Sequence, residues 1–286
     1  MTPLLRVEDL RVSFASASGV IEAVRGVSFD LGREKLGLVG ESGSGKSTVA
    51  RALLRLVPKP GIVSAQQLDL DGIDLQTLSE TKMRRLRGRR ISMILQDPRF
   101  SLNPVMRVGR QIVESRRAHF DDSVADARCH ALGMLDSVGI RDPVRVFDAY
   151  AHELSGGEGQ RVMIAMMLMA EPAVLIADEP TSALDVTLRG QVLSLLDELA
   201  AKRGRGLLII SHDLSLVASF CDRILVMYAG RIVESLRGNE IADAKHPYTR
   251  ALWAARPSLD KPVSVLPTIP RDPAWANSGA DPGANP

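Results

Sequence analysis

Cysteine is almost missing from this chain: two residues in 286, Cys129 and Cys221, and no CxxC pair. That excludes a disulfide scaffold and a thiolate metal cluster, and it fits a reducing compartment in which both thiols are expected as small core residues. Long apolar runs are missing as well. The longest, Val162 to Ala170, falls far short of the roughly 18 residues that a bilayer crossing needs, so any membrane span is expected on another chain. No charged segment followed by an apolar one opens the sequence, so export is not expected. Nor is there an excess of one charge. The 36 basic residues against 34 acidic ones leave +2, which gives no general attraction to nucleic acid. One basic run, KMRRLRGRR at 82–90, stands alone before an apolar strand and reads as a solvated face.

What is present is the material of a globular core: 45% hydrophobic residues with 24% charged. The first thirty residues alternate apolar and polar in two stretches, LLRVEDLRVSF and IEAVRGVSFDL, which predicts a small antiparallel sheet. KLGLVG then reads as a buried strand, followed by a glycine-rich loop and the helix STVARALLRLV. QQLDLDGIDL predicts a hairpin turning at Asp71-Gly72, and ISMILQDP a strand stopped at Pro98. A helical subdomain is expected at about 101–165. Beyond it, AVLIADEP and GLLIISHD are short strands flanking the helix LRGQVLSLLDELAAK, an alternation that implies a parallel sheet. Seven prolines among the last thirty residues predict a disordered tail, placed at 268–286.

The chemistry concentrates at GESGSGKST. Gly40, Gly45, Lys46 and Ser47 satisfy G-x-x-x-x-G-K-[ST], flanked by the required strand and helix. In such a loop the glycines let backbone N–H groups turn inward around phosphates. Lys46 would reach the β and γ phosphates, and Ser47 would ligate Mg²⁺. The nucleotide contacts are assigned to Gly40, Glu41, Ser42, Gly43, Ser44, Gly45, Lys46, Ser47 and Thr48. VLIADE ends a buried strand with two acids: Asp178 would hold Mg²⁺ and Glu179 would polarise the attacking water. Just past the strand LLIIS, His212 stands where a γ-phosphate sensor would.

These motifs, in this order and together with Gln96 in ILQDP, LSGGE at 154–158, SALD at 182–185 and SHD at 211–213, resemble the ABC-type ATPases over residues 4–235. The resemblance implies an α/β P-loop NTPase fold of the ABC type. Its core is a mixed or parallel sheet, with an N-terminal antiparallel subdomain and an inserted helical one. ATP and Mg²⁺ are the implied cofactors. Gln96 resembles the glutamine that senses Mg²⁺ and the attacking water, making the catalytic set Glu179, His212, Gln96 and Lys46 and the metal set Ser47, Gln96 and Asp178. SALD resembles the loop that communicates between the two nucleotide sites. Phe14 matches the aromatic that stacks on adenine, a core phenylalanine of the small sheet being the other reading. Ser155, Gly156 and Gly157 would make a second γ-phosphate cradle, which in the family serves nucleotide held by the opposite subunit.

GESGSGKS, QDPRFSLNP and HPYTRALWAA at 246–255 resemble importer ATPases for oligopeptides, dipeptides, nickel and opine-like solutes. That implies a domain at 1–235 and an extension at 236–267. The implied partners are a second ATPase subunit, identical or different, two membrane-spanning permease subunits and, indirectly, an extracytoplasmic solute-binding protein. The implied location is the cytoplasmic face of the bacterial inner membrane. Peptides are the expected cargo, with nickel chelates or opines as the alternative. Two departures stand out: Gly159 replaces a bulkier polar residue, which is expected to loosen the helix start after LSGGE, and the tail lacks the cysteines that an iron–sulfur centre would need. A non-transport ATPase acting on nucleic acid is disfavoured, because fewer than sixty residues separate Gln96 from Leu154 and leave no room for a long coiled coil.

Overall fold

The computed structural model describes residues 3–17, 19–95, 101–181, 186–256 and 272–276. The chain divides into two compact units, Met1–Leu78 with Gly206–Pro286, and Ser79–Arg205.

The first unit opens with β1 (Leu5–Ser16) and β2 (Gly19–Leu31), paired antiparallel from Leu5↔Leu31 to Ser16↔Gly19. Leu5 and Val7 are buried, as are Leu10 and Val12, so the inward phase changes from odd to even positions. A register shift between Val7 and Leu10 accounts for this, with Asp9 at φ 47 and its N–H donated to the Ser28 hydroxyl at 2.9 Å. One extra residue there keeps both apolar pairs on the same face. Next come β3 (Lys35–Val39), α1 (Lys46–Leu53), β4 (Ile62–Ser64), β5 (Gln67–Leu70) and β6 (Ile73–Asp74). The antiparallel sheet runs β2-β1-β5-β6, with β4 also on β1. As the sequence predicts, Asp71 (φ 52) and Gly72 (φ 81) form the turn between β5 and β6, the pair of left-handed residues that a tight hairpin needs.

The second unit is largely helical. It contains α2 (Glu80–Leu86), β7 (Ile91–Ile94), α3 (Val108–Arg117), α4 (Val124–Ser137), α5 (Pro143–Asp148), α6 (Gly156–Leu168), β8 (Val174–Asp178) and α7 (Val186–Arg203). β7 and β8 pair in parallel and are buried along their whole length, which explains their unbroken apolar sequence. Val108 and Ile112 of α3, Ala127, Ala131 and Leu135 of α4, and Val162 and Met163 of α6 fill the helical core. Ser123 and Asp142 cap α4 and α5 with their side-chain oxygens. Arg116 ties α3 to the end of α6. Its guanidinium donates to Asp122 at 2.6 Å and to the Met169 carbonyl at 3.2 Å, and lies 3.6 Å over the Phe120 ring.

The chain then completes the first unit with β9 (Gly206–Ser211), α8 (Leu214–Phe220), β10 (Arg223–Tyr228), β11 (Arg231–Arg237) and α9 (Pro247–Ala254). β9 and β10 flank β3 in parallel, and β11 closes the far edge antiparallel, so this sheet is mixed. One expectation fails. Cys221 is buried, and burial pushes its thiol up to about 12, but Cys129 is exposed on α4. The α4 core face is carried by Ala127, Ala131 and Leu135, and Cys129 lies off that stripe.

Candidate functional site

β3 is buried from Leu36 to its end at Val39, where the backbone turns into the loop before α1. Two glycines make that turn possible. Gly40 has φ 152 and a side chain there would run into the Met227 carbonyl; Gly45 has φ 105 and would meet the Ala23 carbonyl. Gly45 is the N-cap of α1 in the left-handed conformation, and no side chain caps the helix there. The first amides of α1 therefore face the loop interior with the positive end of the helix behind them. Lys46 is buried, and its ammonium donates to the carbonyls of Gly40 and Glu41, both at 2.7 Å, and to the Ser44 hydroxyl at 3.4 Å. Ser42 and Gly43 are exposed, while Ser47 and Thr48 are half-buried in the first turn.

β9 places His212 beside this loop. Val39 and Ser211 are register partners, so Gly40 and His212 each leave the sheet at the same level. Asp213 follows and caps α8, its N–H donated to the Ser211 hydroxyl at 3.0 Å. Phe14 lies on β1 opposite Ile21, half-buried with its ring close to Gly61. Ile21 and Ile62 beside it are exposed, so Phe14 is at the rim of the small sheet and outside its buried core.

The remaining described site residues belong to the second unit. Asp178 ends β8 buried, and Glu179 follows with φ 50. Left-handed backbone at a non-glycine costs on the order of 1 kcal/mol or more and persists only where the surroundings enforce it. Part of that enforcement is visible. Gln160 of α6, essentially fully buried, donates its amide to the Pro180 carbonyl at 2.8 Å, immediately after Glu179.

Ser155 caps α6 from an extended backbone, φ −65 and ψ 160. Its hydroxyl accepts from the Glu158 N–H at 3.3 Å and donates to the Glu158 carboxylate at 3.0 Å, while its own N–H donates to that carboxylate at 2.9 Å. This reciprocal cap holds the helix start in place despite Gly159. Arg145 of α5 pairs with the other carboxylate oxygen. Burial works to raise the Glu158 carboxyl, but the Ser155 donors and Arg145 outweigh it and hold it below the usual carboxylate range. Ser155 and Gly156 are exposed and Gly157 is half-buried. Gln96 and residues 182–185 lie outside the described residues.

Gln160, Arg145 and the role of Glu158 are not among the residues that the motifs single out. Only the capping pattern, Ser155 with an acid three residues on, was available locally to find one of them.

Residues 24–182 match the family described as ABC transporter. Over 270 residues the chain is 47% identical to a putative peptide import ATP-binding protein of Brucella abortus (strain 2308), a match covering 94% of this chain and 81% of that protein. It is 45% identical over 269 residues to the dipeptide transport ATP-binding protein DppD of Escherichia coli (strain K12), covering 93% and 82%. Among solved structures, the dimeric structure of MJ0796, a bacterial ABC transporter cassette, superposes with a TM-score of 0.72 at 25% identity, covering 82% of this chain and 98% of that one.

Proposed function

This chain belongs to the ABC transporter family of ATP-binding proteins, and from that premise we propose that it is the ATP-hydrolysing subunit that powers peptide uptake by a bacterial importer. The observation that carries the nucleotide reading is the loop at 40–48. Two side-chain-excluding glycines, an N-terminus of α1 without a side-chain cap and a buried ammonium converge there. The peptide class rests on the relatives described above, named for peptide and dipeptide transport.

The roles follow from the chemistry of each residue. Lys46 keeps its bond to the Gly40 carbonyl and turns its other donors, now on the Glu41 carbonyl and the Ser44 hydroxyl, to the more strongly charged phosphate oxygens. The α1 amides and the backbone of 42–48 hold the phosphates, and Phe14 at the sheet rim stacks on the adenine. Ser47 and Asp178 offer hydroxyl and carboxylate oxygens, the donor types that suit Mg²⁺, with Gln96 as a further oxygen donor. Held by these residues, Mg²⁺ would supply charge neutralisation for the phosphates during transfer. Glu179 orients the attacking water and His212 contacts the γ-phosphate. Ser155, Gly156 and Gly157 hold the γ-phosphate of nucleotide bound to a second ATPase subunit, of the same or a different sequence.

Residues 1–235 form the ATPase domain, with 101–165 as its helical insertion and 236–267 as an extension. None of the described helices is long and apolar enough to cross a membrane. Two separate permease subunits carry the transport path. The chain binds them at the cytoplasmic face of the inner membrane, and an extracytoplasmic protein delivers the solute; nucleic acid has no part in the reaction.

The test joins chemistry to cargo. In a strain lacking this gene and auxotrophic for one amino acid, the wild-type chain restores growth on peptides containing it, and Glu179→Gln does not. The purified variant binds ATP as wild type does, with turnover lower by about a hundredfold or more. Turnover near wild type would remove Glu179 from its role. Peptide growth unaffected by loss of the gene would remove the cargo assignment.

A further inference from the structure

HPYT at 246–249 has a structural consequence inside the phosphate loop. His246 caps α9, its Nδ1 accepting the Tyr248 N–H at 3.2 Å, and Pro247 occupies the first helical position, where its fixed φ suits the turn. The N–H groups of Lys245 and His246 both donate to one Glu234 carboxylate oxygen on β11, at 2.7 and 3.2 Å. The start of α9 is thus fastened to the sheet. Tyr248 is fully buried by this arrangement. Its ring lies 4.5 Å from Tyr228, at the end of β10, and 6.0 Å from Trp275; Tyr228 and Trp275 are 5.9 Å apart. The Tyr228 hydroxyl donates to the Asp272 carbonyl at 3.2 Å. With only three tyrosines and two tryptophans in the chain, this gathering uses most of its large polar-tipped rings to fix one phenol.

The Tyr248 hydroxyl accepts the Glu41 N–H at 2.9 Å. That N–H and the Gly40 carbonyl belong to the same peptide unit, which is planar with its N–H and C=O pointing in opposite directions. The Gly40 carbonyl accepts the Lys46 ammonium at 2.7 Å. One peptide is therefore gripped from both edges, by Tyr248 on one and Lys46 on the other. Gly40 supplies little resistance to rotation of that peptide, so the grip decides its orientation. Burial pushes the phenol up to about 12, so it stays protonated and the contact does not titrate near neutrality.

We propose that Tyr248 is a positioning residue for nucleotide binding. It fixes the Gly40–Glu41 peptide, and through it the Lys46 ammonium, so the C-terminal HPYT segment sets the affinity of the phosphate loop. The proposal rests on the reading of residues 40–48 as the ATP site. The test uses the full chain and three substitutions, Tyr248→Phe, Tyr228→Phe and Lys46→Ala, with Mg²⁺–ATP affinity, ATPase KM and kcat, and thermal unfolding measured for each.

Tyr248→Phe keeps the ring and removes one hydrogen bond; ATP Kd and KM should rise about fivefold with kcat near wild type. Tyr228→Phe loses only the Asp272 contact and should leave Kd and KM unchanged. A Tyr248→Phe protein with a lower Tm but wild-type Kd and KM at temperatures well below it would overturn the proposal, since that is what a purely structural tyrosine does. Lys46→Ala separates the two readings: if it binds ATP normally, the ATP assignment of the loop fails and the proposal falls with it. A measurement on wild type alone supplies a further check. The Glu41 amide should be protected from hydrogen exchange, and fast exchange there would also overturn the proposal.

Discussion

The N-termini of α1 and α6 are built in opposite ways. Gly45 caps α1 from left-handed backbone, contributes no side chain, and is followed by a lysine with no acid in the first turn. Ser155 caps α6 from extended backbone and closes on Glu158, whose carboxylate takes both the N–H and the O–H of Ser155. The first helix starts with neither a side-chain cap nor an acid and brings a cation to that end. The second has met part of its own demand with an internal anion, neutralised by Arg145. A phosphate reaching α6 must therefore compete with Glu158 or use the Gly156 and Gly157 amides alone. That contrast suits a first site that holds nucleotide within one chain and a second that engages only when another subunit presents it.

Alanine at each helix start should separate the two most strongly. Gly45→Ala forces a left-handed alanine into the Ala23 carbonyl, and should cost about 1–3 kcal/mol in stability and cut hydrolysis roughly a hundredfold. Gly156→Ala meets no neighbouring atom within 4 Å and should change stability by less than about 0.5 kcal/mol. Equal losses of stability in the two variants, measured by calorimetry, would erase the distinction.

Ser155→Arg comes next. It removes a cap worth about 1 kcal/mol, leaves ATP binding to the monomer intact and blocks the ATP-dependent dimer. If sizing chromatography with ATP still shows that dimer and hydrolysis is normal, α6 serves no partner.

The smallest effect belongs to Glu158→Gln. Removing the internal anion should strengthen ATP-dependent dimerisation while slightly lowering monomer stability. The pH dependence has a definite sign. Because the folded carboxyl lies below its ordinary value near 4.5, its contribution is complete above that pH and is lost as pH falls through the lower folded value. The stability difference between wild type and Glu158→Gln should be flat from pH 6 to 8 and shrink only below about 4.5. A difference that shrinks as pH rises would contradict the network drawn around Glu158.

Much of this was legible locally. The alternation of β1 and β2, the Asp71-Gly72 turn and the strand–loop–helix at 35–53 all follow from period, glycine placement and motif spacing. The exposure of Cys129 is not legible locally, because a residue type says little about which side of a helix it occupies. Phe14 could be read as core or rim, and the rim position depended on where Gly61 and Ile62 came to lie. Gln160 on the Pro180 carbonyl and Arg145 on Glu158 join residues 20 and 13 positions apart, beyond any local pattern.

The amino-acid sequence alone determined which residues can do phosphate chemistry: the glycines, Lys46, Ser47 and the acids at 178 and 179 are recognisable because backbone freedom and charge are properties of residue type. Tertiary structure decided how those groups are held. Glu41 and Tyr248 are 207 positions apart, and only the pairing of β10 with β3 and of β11 with β10, which carries α9 back to the loop, brings a phenol to one peptide edge. Hydrogen bonds depend on angstrom-scale placement, and that placement is fixed by long-range packing.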